Sequence, residues 1–225
     1  MDGTPITVRK YTDFAEMKAD EYRYWQSRPA HERLDAVEAM IETAYALKGW
    51  KIEPDVPRLQ RPLFAFQSRG VKYLVVGGFA VIYHSQPRFT KDMDIFIKAD
   101  PENAKATYAA LAQFGAPLQG IRPEDFTDRN SFFRFGRDPQ GFDILPAIPG
   151  VDFDAAWERH VETVIDTATG LKANFISAED LIASKLASGR PRDLADVDDI
   201  RKAAESQQQP RPTQKNPTEP APGSS

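Results

Sequence analysis

The sequence predicts a fold of the α/β (α+β) class, a short mixed sheet flanked by helices, on three observations. Strand and helix signals alternate from about residue 58 to 204. An apolar run at 73–76 stops at Gly77-Gly78 and changes to a helical pattern, as where a strand feeds a helix. Two pairs of short apolar runs flank turn-forming residues, as hairpins do. The expected organisation is a helical N-terminal segment over 1–57, an α/β domain over 58–205 and a disordered tail over 206–225.

Taken in order, residues 33–48 place Leu34, Val37, Ile41, Ala44 and Tyr45 on one side of a helix. Ser27 and Pro29 stand where that helix would start, and Gly49 where it would end. Residues 53–57 read as a linker, because Pro54 and Pro57 forbid regular structure. A strand at 73–76 gives way to a helix at 79–84, and a second strand follows at 93–97. Asp100-Pro101 opens an alanine-rich helix over 103–114. Residues 132–135 and 142–145 form a hairpin about the turn 137–141, and 161–165 with 171–176 form another. Ser177 caps a helix to about 187, and a last helix covers about 192–204. The final 20 residues hold five of the 18 prolines and show no apolar periodicity, hence the tail.

Composition narrows the function. Among the 225 residues, 41% are hydrophobic, enough for a core, yet no apolar run approaches the ~20 residues that cross a bilayer. Residues 1–10 lack a signal-peptide pattern, so a cytoplasmic protein without membrane contact is expected. The absence of cysteine excludes disulfides and thiolate metal sites. A net charge of -4 argues against long-duplex DNA and favours local contact with a nucleotide or an RNA end.

The chemistry concentrates in 73–97. Gly77 and Gly78 let an anion approach the backbone, and a helix N-terminus offers it free N–H groups. Fourteen residues after Gly78 come Asp92 and Asp94, which alternate along a strand and so share a face. Adjacent carboxylates repel, and a divalent cation such as Mg²⁺, or Mn²⁺, relieves that repulsion. Asp143, within an apolar strand, is the candidate third ligand or the base for an acceptor hydroxyl. Singly, each of these has a plainer reading: a turn, solubility charges at a strand edge, a solvent-facing strand residue. Together and in this order they point to a metal site.

The stretch GGFAVIYHSQPRFTKDMDIFI, with the later strand aspartate, resembles the polymerase-beta-type nucleotidyltransferase superfamily. More narrowly it resembles the small bacterial AbiEii-like toxins, in which arginine and serine or threonine precede the paired aspartates, as Arg88 and Thr90 do here. Their later motifs are matched by ISAEDLIASKLASGRPRDLADVDDI, with Lys185, Arg190, Asp193 and Asp196. The resemblance covers roughly 60–204. Gly-Gly stands where many superfamily members have Gly-Ser, which removes one hydroxyl contact to phosphate.

The resemblance implies that Asp92, Asp94 and Asp143 bind Mg²⁺. It implies that Gly77 and Gly78 line the triphosphate of an NTP, with Arg88, Thr90, Lys185 and Arg190 around the nucleotide and Lys185 at the leaving pyrophosphate. Asp193 and Asp196 support the site or position Lys185 and Arg190; a face with Arg192 and Asp199 also reads as solvated. The implied activity transfers a nucleoside monophosphate to a hydroxyl of an RNA end such as tRNA, of a protein or of a small molecule. A toxin–antitoxin or phage-defence setting, with an antitoxin partner, is a further implication. Two alternatives belong to other classes: a non-catalytic nucleotide-sensing or partner-binding module, and a metal-dependent phosphohydrolase. The N-terminal helices either cover the site as a tethered antitoxin or are part of the fold.

Overall fold

A computed structural model of the chain describes residues 11, 13–49, 60–137 and 140–208. The expected linker at 53–57 and residues 209–225 of the expected tail lie outside them. Helix α1 (Phe14–Gln26) begins at Asp13, whose carboxylate accepts from the Ala15 amide and satisfies an orphan helix donor. Helix α2 (Ala30–Leu47) follows Pro29 and buries Val37, Ile41 and Tyr45, the side that the spacing predicts. Ser27 does not open that helix. It closes α1, with its hydroxyl donating back to the Tyr24 carbonyl, because Pro29 already supplies the start.

Helix α3 (Gln60–Ser68) leads into the buried strand β1 (Tyr73–Val76), which passes without a loop into helix α4 (Gly77–His84). Strand β2 (Met93–Ile97) returns antiparallel to β1, with Asp94 opposite Val76. Helix α5 (Pro101–Phe114) is capped by the Asp100 side chain on the Asn103 amide and ends at left-handed Gly115. A 3-10 turn at Pro123–Thr127 precedes the hairpin of β3 (Phe133–Arg137) and β4 (Gln140–Leu145). Helix α6 (Phe153–Trp157) precedes the second hairpin, β5 (Val161–Asp166) with β6 (Leu171–Phe175). Ser177 caps α7 (Ala178–Ser188) on the Asp180 amide, and α8 (Pro191–Gln208) completes the order. This last helix continues past the expected end at 204. Ser206 is buried in it, so the first three residues of the expected tail belong to the fold.

The sheet runs β3-β4-β2-β1-β6-β5. The pairs β2·β4 and β1·β6 are parallel and the rest antiparallel, which makes the expected mixed sheet. Parallel neighbours need a crossover, and α5 lies in the connection from β2 towards β4. That pairing sets Asp94 beside Asp143 in register. Fully buried Phe66, Phe79, Phe96 and Phe175 fill the layers between sheet and helices.

The N-terminal helices dock on this body. The Tyr22 hydroxyl donates to Asp199 of α8 at 2.6 Å, Gln26 donates to the Ser85 carbonyl, and α2 packs on α4 and β5. Among the described residues no helix is long and apolar enough to cross a membrane.

Candidate active site

The turn from β1 into α4 requires glycine. Gly77 has φ 58°, and a Cβ there would lie 1.8 Å from Asp94 Oδ2. The Gly78 amide donates to the Asp94 carboxylate, and a Cβ on Gly78 would lie 2.5 Å from Thr90 Oγ1. Thr90, itself buried, therefore packs the loop before β2 against the glycine turn.

The three aspartates converge. Asp94 and Asp143 are register partners on adjacent parallel strands, and Asp92 stands just before β2 with Oδ1 accepting the Gly141 amide at 3.1 Å. Burial, then the like charges of Asp143 and Asp92, push the Asp94 carboxyl up to about 6, against the Gly78 hydrogen bond and Lys185. The groups that meet here are carboxylates, the ligand type that hard divalent cations take.

Arg134 of β3 also belongs to this group. Its Nε and one terminal nitrogen donate to the two Asp143 oxygens at 2.8 and 2.7 Å, and that same terminal nitrogen reaches Asp92 Oδ2 at 3.2 Å. The carboxylates push the guanidinium pKa further up, the hydrogen bond that Arg134 donates to Asp143 most of all. Among the described residues no three His, Cys, Asp or Glu side chains stand grouped as a metal-ligand set. The sequence reading missed Arg134. Its one local signal, alternation along a strand with Phe133 and Phe135, does not indicate what it faces; the β3–β4 register, Arg134 opposite Asp143, does.

Helices α7 and α8 form the opposite wall of a cleft of about 270 Å³. Gly77 and Asp94 line one side, with Ser184, Lys185, Ser188 and Arg190 across from them. The two serines were not anticipated. Leu145, Ile148, Pro149 and Leu181 supply an apolar wall. Lys185 is buried and donates to Asp193 at 3.1 Å and to Asp196 at 2.7 Å. Arg88 binds Asp196 at 2.9 Å, and Arg190 binds Asp193 at 2.6 Å. Burial alone would raise the Asp193 carboxyl, but bonds from Arg190, Ser188 and Lys185 hold it at about 2. Asp193 and Asp196 are thus the cation-holding residues of this wall, while Arg192 and Asp198 of the same helix are exposed. Arg88 lies behind the cleft, directed at Asp196, and does not line it. His84 Nε2 donates to the Ile176 carbonyl at 2.8 Å and takes no part in the cleft.

The profile of a family described as "Nucleotidyltransferase of unknown function (DUF6036)" matches residues 63–204. No curated protein sequence matches the chain. Among solved structures, the solution structure of the antibiotic-resistance factor ANT(2'')-Ia is similar with a TM-score of 0.43 and 16% identity, over 66% of this chain and 82% of that one.

Proposed function

The chain belongs to this family of nucleotidyltransferases, and we propose that its cleft transfers a nucleoside monophosphate from an NTP to an acceptor hydroxyl. The observation that carries the reading is the convergence of Asp92, Asp94 and Asp143 beside the glycine turn, opposite a buried lysine. Those carboxylates would hold Mg²⁺ or Mn²⁺. When bound, such an ion neutralises the acidic face and polarises the phosphoryl oxygens.

The chain's own residues do the rest. Gly77 lines the cleft at the N-terminus of α4, and the triphosphate would lie at that positive end of the helix. Lys185, fixed by Asp193 and Asp196, faces the charge that grows on the departing pyrophosphate, with Arg190 beside it. The acceptor oxygen forms its bond to the α-phosphorus as the α–β phosphoanhydride breaks, and Asp143 takes the hydroxyl proton. The apolar wall of Leu145, Ile148, Pro149 and Leu181 suits a nucleobase. The AbiEii-like resemblance extends the proposal to a toxin–antitoxin or phage-defence role with RNA or protein as acceptor.

Incubation with each α-³²P-labelled NTP, Mg²⁺ and a cell extract should label an acceptor. Asp94→Asn and Lys185→Ala should each lower that labelling by about 10² or more. Nucleotide binding without transfer would instead support a sensing module, and release of free nucleotide without any acceptor would support a hydrolase.

A further inference from the structure

We infer that Arg134 is the resident counter-cation of the acidic site, and that its guanidinium and a divalent cation exclude one another there. The inference rests on the metal-binding reading above and adds a residue that acts against it. Three observations carry it. One guanidinium nitrogen lies 2.7 Å from Asp143 and 3.2 Å from Asp92, which is the space a cation shared by the two carboxylates must enter. The fork engages both oxygens of Asp143, a group only 10% exposed that forms no other ion pair among the described residues. The arginine itself is 60% exposed on β3, an edge strand with β4 on one side only, so its side chain can swing outwards without repacking the core.

The consequence is a site in which the repulsion between Asp92 and Asp143 is offset before any metal arrives. A guanidinium cannot lose its proton to make way, so it leaves by moving. Metal affinity then includes the work of displacing it. Asp94 is held by Gly78 rather than by Arg134 and keeps its place in either state.

The test uses the full chain with Mn²⁺ alone as the probe, followed by electron paramagnetic resonance and by thermal melting. Arg134→Gln should bind Mn²⁺ at least tenfold more tightly than the parent. Its melting temperature should fall in EDTA and rise by more than the parent's when Mn²⁺ is added. Arg134→Lys, which keeps the charge but loses the fork, should lie between the two. Equal or weaker Mn²⁺ binding by Arg134→Gln, with binding abolished by Asp143→Asn, would overturn the inference and leave the metal reading standing. Absence of Mn²⁺ binding by all forms would overturn both.

Discussion

Asp94 is subject to burial, to the charges of Asp143 and Asp92, and to the amide of Gly78, and the first two outweigh the third. Its carboxyl therefore titrates near 6 in the fold, above the ordinary value of 3.8. Between those two pH values the folded chain holds more proton than the unfolded one, so stability falls as pH rises through the window and stays lower above it. The expected loss is about 1–3 kcal/mol, since one unit corresponds to about 1.4 kcal/mol. In metal-free buffer, Asp94→Asn should lack this slope and exceed the parent in stability at pH 7.5; urea melts at pH 4.5 and 7.5 check it. Asp193 works in the opposite sense, but its carboxyl lies at about 2, so its contribution is lost only at more acid pH. That Asp94 and Asp143 would stand on strands was legible from the apolar residues around them, whereas Asp92, read as a strand residue, stands just before β2. The place of Arg134 was not legible, because an arginine on a half-exposed strand is ordinary until its cross-strand neighbour is known.

At the scale of the element, the β1–α4 turn was read correctly from two glycines after an apolar run. The structure adds the reason: the left-handed backbone at Gly77 leaves no room for a Cβ beside Asp94. Gly77→Ala should cost about 1–2 kcal/mol for the backbone alone. It should also displace the Asp94 carboxylate, so nucleotidyl transfer should fall further than the loss of stability explains; parallel melts and activity assays separate the two. Short helices were harder to read. Helices α3 and α6 span nine and five residues, too few turns for periodicity to stand out. In α8, Asp193 and Asp196 share a helix face as their spacing predicts, but their bonds to Lys185, Arg190 and Arg88 depend on how α7 and the loop before β2 are packed.

Across the whole molecule, α1 and α2 are built into the fold. Tyr22 and Val37 are buried, and no described residue of either helix lines the cleft. A tethered inhibitor would reach the site; these helices hold α8, α4 and β5 from behind. Tyr22→Phe should therefore cost about 1 kcal/mol, the worth of its bond to Asp199, without raising activity. A denaturant titration beside the transfer assay checks both halves, and a gain in activity would restore the inhibitor reading.

The sequence by itself determined the fold class, most of the long elements and the place of the glycine turn, because periodicity, capping and breaker residues act over a few positions. Only the tertiary structure decided that Asp143 meets Asp94 and that Arg134 lies against Asp143 and Asp92, since that depends on β4 lying parallel to β2 and on the β3–β4 register. Pairing between strands distant in sequence is set by the packing of the whole sheet, and a shift of one residue would turn each of these side chains to the other face.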